Sequence, residues 1–224
     1  MRNVLIILNL ILMHTLVWSQ SVDKGRVQIK LGTGVFVGKA TASNRFTINQ
    51  NTALNSSTFD IGLKQQSLAF VYHTHQQFAL GINIYNHSYV GDSSNYQAGS
   101  LGALVQYYFV NKPKWNVFLE TTATTLDASW DNRSEYAKAS LKGKGSIVGL
   151  SLGVNKYFGK IFGLYLQSGF MGQTIRINQF SYKGEKKNFI GNIKTEDLKY
   201  LFNGGFIQIG LVFKLNNKTP KSGQ

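Results

Sequence analysis

The chain has 224 residues, of which 23 are glycine, two are proline and none is cysteine, and its formal net charge is +14. The lack of cysteine excludes disulfide bonds, cysteine-based zinc sites and thiol nucleophiles, and the 13% aromatic content argues against a disordered chain. Lysine and arginine are scattered without a recognisable DNA- or RNA-binding motif. We therefore expect an anionic membrane surface, and no nucleic acid, as the counter-charge.

Residues 1–19 have the three parts of a secretory signal peptide. Arg2 supplies the positive start, an apolar segment runs from Val4 to Leu12, and Val17-Trp18-Ser19 resembles a cleavage site. The apolar segment is too short for a membrane-spanning helix, which needs about 20 residues. We expect residues 1–19 to be removed after export, so that the mature chain begins at Gln20.

From Val27 onwards, apolar residues alternate with small or polar residues, which is the period-two pattern of a β-strand. The same alternation returns in seven later segments, which gives eight predicted strands. Their centres lie at residues 27–37, 59–64, 78–85, 101–108, 117–124, 148–155, 164–170 and 206–214. In the second strand, Gln65-Gln66 interrupts the alternation and predicts a β-bulge.

Short and long connections alternate along the chain. Short links are predicted at 73–76, 111–114 and 159–160, and long polar links at 39–55, 91–95, 127–144 and 178–196. Tight turns at one end and long loops at the other are typical of barrels in an outer membrane. The sequence thus predicts an all-β fold, an eight-stranded antiparallel up-and-down transmembrane β-barrel over residues 20–215, with a polar C-terminal tail over 216–224.

A water-soluble barrel with an apolar interior is the alternative to a membrane barrel. In most predicted strands one face is apolar and the other carries glycine and polar residues, which suit the narrow interior of an eight-stranded barrel. We therefore expect the apolar faces to contact lipid. Aromatic residues around the short turns predict an interfacial girdle: Tyr72, Phe78, Tyr107, Phe109, Trp115, Tyr157, Phe158 and Phe162.

Four short motifs flank the predicted turns: Gln77-Phe78-Ala79-Leu80-Gly81, Tyr107-Tyr108-Phe109, Phe118-Leu119-Glu120 and Tyr157-Phe158. With these motifs the mature chain resembles the outer membrane protein β-barrel domain family, porin-like small barrels similar in architecture to the OmpA transmembrane domain. The resemblance implies a location in the outer membrane of a Gram-negative envelope, and it implies no single activity. Members usually end on an aromatic residue, whereas this chain continues past Phe213 into its polar tail.

Three charged residues are predicted to face the lumen: Lys30, Lys64 and Glu120. They can be interpreted as a gate or selectivity filter, or as an ion-pair network that plugs a narrow interior, which is the interpretation we favour. We assign no catalytic residue, metal ligand or cofactor. His87 and Ser88 are neighbours on one strand and so face opposite sides, and no third ligand accompanies His73 and His75.

The two longest predicted loops are basic, and the alternation of links puts them on the outer side. Their cations are Arg133, Lys138, Lys142 and Lys144 in one loop and Lys183, Lys186, Lys187 and Lys194 in the other. Lipopolysaccharide presents phosphates at this surface, where a lysine or arginine contributes about 1 kcal/mol of binding.

The sequence therefore predicts a monomeric, non-enzymatic outer-membrane barrel with an envelope-structural or surface-interaction role. Its expected partners are outer-membrane lipids and lipopolysaccharide. A narrow solute pore or a lipid A-modifying enzyme is the alternative.

The signal peptide gives a direct prediction. In a Gram-negative host, intact-mass analysis of the protein from the membrane fraction should give a chain that starts at Gln20. A protein that keeps residues 1–19, or one that is monodisperse in buffer without detergent, would contradict this interpretation.

Overall fold

The computed structural model describes residues 24–48, 51–90, 94–132, 139–183, 185–187, 189–190, 193–194 and 198–215. The predicted signal peptide and the polar tail lie outside these residues. Eight long strands are present: β1 (Val27–Ile48), β2 (Asn51–His73), β3 (Phe78–Val90), β4 (Ser94–Asn111), β5 (Trp115–Asn132), β6 (Ala139–Tyr157), β7 (Phe162–Tyr182) and β11 (Leu198–Leu215). Three short strands lie between β7 and β11: β8 (Glu185–Lys187), β9 (Phe189–Ile190) and β10 (Ile193–Lys194).

The eight long strands form a closed antiparallel barrel. Each pairs with its neighbour in the chain, and β11 pairs with both β7 and β1, which closes the ring. The predicted eight-stranded up-and-down topology is thereby confirmed. β8 extends the sheet at the end of β7, and β9 pairs with β10. Within the described residues, no helix has the length and apolar character needed to cross a membrane.

The stagger of the strands fixes the width of the barrel. Hydrogen-bonded partners followed once around the ring from Leu31 return to β1 at Thr41, ten residues further along. For eight strands, this stagger corresponds to a tilt of about 40° and a backbone radius of about 8 Å. The interior therefore has room for side chains and for little else.

An apolar belt surrounds the barrel. Outward residues such as Val148 and Phe170 are 64% and 76% exposed, while the residues that alternate with them are largely turned inward. So large an apolar surface is stable only in contact with lipid. A closed barrel with an apolar outer face is the β-structure that spans an outer membrane, and the belt thus accounts for the predicted outer-membrane location.

The predicted girdle follows the short turns, with one exception. Tyr72, Phe78 and Phe158 are exposed there, and the rings of Phe78 and Tyr107 lie 5.0 Å apart between centroids. Tyr157 instead points into the lumen and is buried, where its hydroxyl accepts a hydrogen bond from Gln28 Nε2 at 3.0 Å. Tyr157 immediately precedes the turn but falls on the inward parity of β6, so its prediction as a girdle residue was wrong.

The facing predicted for the second strand is reversed in the structure. Leu63 is buried in the lumen, and its neighbour Lys64 is exposed on the outer face. The predicted bulge at Gln65-Gln66 is also absent, since β2 pairs with β1 and β3 there without a shift of register. The outward residues are polar or glycine above this dipeptide and large and apolar below it, where Ala69 and Val71 face inward. The interruption therefore marks an exchange of the apolar face within a regular strand.

Most of the long connections predicted from the sequence are strand. β1 and β2 remain paired up to Ile48 and Asn51, and β5 and β6 up to Asn132 and Ala139. In these upper parts the outward residues are polar, which gives the sequence the composition of a loop. Lys142 and Lys144, predicted in a loop, accordingly lie on β6.

The reversed facing of β2 predicts unequal effects for two adjacent substitutions. Leu63→Ala should lower the free energy of unfolding by about 2–5 kcal/mol because it leaves a cavity in the lumen. Lys64→Ala, the matched control on the outer face, should change it by less than about 0.5 kcal/mol. Urea unfolding in detergent micelles measures both. A larger loss for Lys64→Ala than for Leu63→Ala would restore the facing predicted from the sequence.

Candidate functional site

Glu120 is the centre of a hydrogen-bonded layer in the half of the lumen nearer the short turns. It lies on the inward face of β5 and is 2% exposed. One carboxylate oxygen accepts a hydrogen bond from Gln106 Nε2 at 2.5 Å and the other from Gln167 Nε2 at 2.8 Å. Gln167 Nε2 also donates to Ser151 Oγ at 2.6 Å. Neutral amides from β4 and β7 thus solvate the buried carboxylate.

Lys30 is also 2% exposed, but it makes no direct ion pair with Glu120. Its ammonium lies 3.7 Å from the centre of the Phe118 ring and 5.4 Å from that of Tyr165, and within the described residues its Nζ has no hydrogen-bond partner. Cation–π contacts and the field of the Glu120 carboxylate therefore hold this charge.

The three charges predicted in the lumen thus separate. Lys30 and Glu120 are buried in the lumen, whereas Lys64 lies on the outer face, so its predicted position in the lumen was wrong. The cause is the exchange of the apolar face on β2, which shifts Lys64 to the outward parity.

A second hydrogen-bonded chain runs from β3 through β2 and β11 to β7. His87 Nε2 lies 3.2 Å from Gln65 Oε1, and Gln65 Nε2 donates to Gln208 Oε1 at 2.7 Å. Gln208 Nε2 continues the chain to the Tyr165 hydroxyl. An amide can donate and accept at once, so glutamine suits such chains. The buried glutamines, whose role sequence reasoning did not recognise, are Gln28, Gln65, Gln106, Gln167, Gln173 and Gln208.

The half of the lumen nearer the long connections is filled mainly by apolar side chains, with the buried polar residues His87 and Gln173 beside them. These apolar side chains are here called the apolar plug. Its members come from all eight barrel strands: Phe36, Ala40, Leu63, Tyr85, Tyr96, Ala98, Leu126, Ile147, Met171, Ile175, Ile177, Phe202 and Phe206. Trp130 and Tyr200 pack on its upper end, with ring centroids 5.6 Å apart. The space left among these upper rings is about 10 Å³, which holds at most a single water molecule.

The cations predicted in extracellular loops lie in different structural elements. Lys142 and Lys144 are exposed on the outer face of β6, Lys183 occupies the turn after β7 with a positive φ of 50°, and Lys194 lies in β10. Arg133 and Lys138 lie outside the described residues. Lys186 and Lys187 are exposed in β8.

Lys187 has a partner within β8. Its Nζ lies 2.6 Å from Glu185 Oε2, and this hydrogen bond and charge lower the pKa of the Glu185 carboxyl. Both side chains are well exposed, so the pair contributes little to stability.

Barrel closure brings further cations beside Lys144. Lys144 on β6 is the cross-strand partner of Arg176 on β7, and Arg176 is the partner of Lys199 on β11. These three exposed residues, with Lys142, are here called the basic row. Sequence reasoning missed Arg176 and Lys199 because the register that joins the strands is not encoded in any local pattern. Like charges directly opposite on a sheet repel each other, and Asp127 on β5, the other cross-strand partner of Lys144, offsets this repulsion only in part. An anion bound there would relieve the rest.

Metal ligands do not cluster in the described part of the chain, where no three His, Asp or Glu side chains could hold an ion. His73 is buried in the lumen, whereas His75 is exposed in a turn and its Nδ1 accepts the backbone N–H of Gln77 at 3.3 Å. His87 is buried in the lumen, and Ser88 lies on the opposite face of β3.

No protein-family model and no curated protein sequence matches the chain. Solved structures do match. OprG from Pseudomonas aeruginosa has a TM-score of 0.55 at 12% identity, over 86% of this chain and 97% of OprG. Neisserial surface protein A has a TM-score of 0.48 at 14% identity, over 86% of this chain and 100% of its own. The outer membrane protease OmpT from Escherichia coli has a TM-score of 0.44 at 8% identity, over 88% of this chain and 99% of its own. The likeness to OprG is one of fold: this chain has the architecture of a small outer-membrane β-barrel.

Glu120 gives a prediction for the polar layer. Glu120→Ala removes the acceptor of two buried amides and the carboxylate whose field offsets the Lys30 charge. The free energy of unfolding should fall by about 3–5 kcal/mol, whereas Glu120→Gln should cost less because it keeps one acceptor. Urea unfolding in detergent micelles is the measurement.

A double variant separates charge from packing. Lys30→Met with Glu120→Gln removes both charges and keeps the side-chain volumes, so it should unfold closer to the parent than Glu120→Gln alone. If the two substitutions are simply additive, Lys30 and Glu120 are not coupled.

Proposed function

We propose that the protein is a non-enzymatic, non-conducting outer-membrane barrel that acts through its basic extracellular side, where it binds anionic groups of the outer leaflet, above all those of lipopolysaccharide. The apolar plug is the observation that carries this proposal. All eight strands contribute to it, so that aromatic and aliphatic side chains surround the barrel axis at this level.

A plug of this kind opposes conduction for two reasons. An ion or polar solute would have to shed its water among aromatic and aliphatic groups, and an isolated charge in such surroundings is strongly unfavourable. Hydrophobic constrictions also close pores by excluding water. The polar layer around Glu120 lies in the periplasmic half, below the plug, so it serves the stability of the barrel.

The outer surface, in contrast, concentrates positive charge at one level. Lys144, Arg176 and Lys199 lie side by side above the apolar belt, where the phosphates of an outer leaflet lie. Each cation near an anionic membrane surface contributes about 1 kcal/mol, and salt screens this attraction over about 8 Å. Surface attachment to the leaflet, alone or with further surface partners, fits this arrangement better than transport.

Planar-bilayer recording tests the proposal. The parent protein should show no resolved conductance steps, whereas Phe36→Ala with Phe202→Ala should produce them by thinning the plug. Val35→Ala with Leu201→Ala, which alters the adjacent lipid-facing residues, is the control and should stay silent. Regular conductance steps from the parent would support a narrow solute pore instead.

The enzymatic alternative has its own measurement. Mass spectra of lipid A from cells with and without the protein should be the same. A new lipid A species that appears only with the protein would establish a lipid A-modifying enzyme and overturn the proposal.

A further inference from the structure

The outer wall formed by β3 to β7 carries a polar groove of about 510 Å³ at the level of the basic row. Amide, carboxylate and ammonium groups line it: Asn86, Gln97, Asp127, Lys142, Lys144 and Asn178. This combination can hydrogen-bond the hydroxyl and amide groups of a sugar and neutralise a phosphate attached to it.

A β-bulge directs one of these side chains into the groove. Lys142 pairs with Gln179 and Gly143 with Ile177, so that Asn178 is left over between them. Bulges often re-aim a side chain beside a functional site. The exposed Asn178 thus lines the groove next to Lys142.

A second, mainly apolar groove of about 520 Å³ lies lower on the barrel and further round toward β11. Val148, Leu150 and the 76% exposed Phe170 form its sides. Gly172 faces outward between its cross-strand partners Val148 and Asn203, so no side chain fills the wall there. The groove has the chemistry of an acyl-chain site within the apolar belt.

The basic row and the apolar groove share strands β6 and β7. Val148 lies four residues below Lys144 on β6, and Gly172 four residues below Arg176 on β7, which corresponds to about 13 Å of strand. Because the strands tilt by about 40°, the basic row lies about 10 Å above the acyl-chain groove along the membrane normal and about 8 Å to its side.

We propose that this wall binds one phosphorylated, multiply acylated glycolipid of the outer leaflet, a lipid A. Its phosphates lie on Lys142, Lys144 and Arg176, its sugars in the polar groove and one acyl chain beside Phe170. The proposal rests on the proposed function and deepens it by naming one partner and one wall. Charge complementarity selects this occupant, because the phosphates relieve the repulsion of Arg176 by Lys144 and Lys199, which Asp127, the other cross-strand partner of Lys144, offsets only in part.

The opposite wall lacks these features and provides matched controls. Lys64 on β2 has the uncharged cross-strand partners Val35 and Ser88, and Lys39 lies opposite Asp60. A Cβ added at Gly62 on the same wall would meet no atom within 4 Å. One added at Gly172 would meet only Asn203 Oδ1, at 3.1 Å, which is the end of a flexible side chain.

The experiment measures retention of purified bisphosphorylated, hexa-acylated lipid A by the full mature protein in detergent, using native mass spectrometry. Lys144→Gln with Arg176→Gln should weaken lipid A binding by about ten-fold or more. Lys39→Gln with Lys64→Gln removes the same net charge and should weaken it by less than about two-fold. Gly172→Leu should weaken binding of hexa-acylated lipid A but not of its deacylated phosphosugar, and Gly62→Leu should change neither.

Each contrary result has a distinct meaning. Equal losses from the two double variants would overturn the site and attribute binding to diffuse surface charge, which leaves the proposed function intact. Equal affinity for phosphatidylglycerol would overturn the assignment of lipid A as occupant. No lipid A binding by the parent would overturn the site and the leaflet-binding part of the proposed function, while the conductance result would still decide whether the barrel conducts.

Discussion

The closure of the sheet through β11, with its stagger of ten residues, is the constraint on which the other features depend. It sets a backbone radius of about 8 Å, so inward side chains from facing strands meet across the axis. Every inward residue must then be compatible with several others. The same closure puts Arg176 between Lys144 and Lys199, which are far apart in the sequence.

A narrow lumen that contains few charges needs another means of satisfying polar groups, and glutamine provides it. Gln65 and Gln208 link His87 to Tyr165 through hydrogen bonds, and Gln106 and Gln167 each donate a hydrogen bond to one carboxylate oxygen of Glu120. A wholly ionic interior would have to balance each charge with a partner of fixed geometry. Amide chains tolerate changes of partner because each group both donates and accepts.

The sequence predicts well those features that depend on one strand at a time. The outward facing of Val148 and Leu150 follows from period-two alternation, and the strand count follows from the number of alternating segments. The predicted facing of Leu63 was wrong because alternation defines two faces of a strand without showing which of them contacts lipid. The basic row was not predicted for a different reason. Arg176 and Lys199 become neighbours only through the register between strands, which is a property of two strands together.

The exchange of faces at Gln65 and Gln66 has a mechanical consequence. Below this level β2 is apolar outside, with Phe70 toward lipid, and above it β2 is apolar inside, with Leu63 in the plug. Raising the barrel along the membrane normal would expose the belt to water, and lowering it would push Lys64 and the basic row into hydrocarbon. Both displacements are unfavourable, so the strands themselves set the immersion depth of the protein and hold it there without an external anchor.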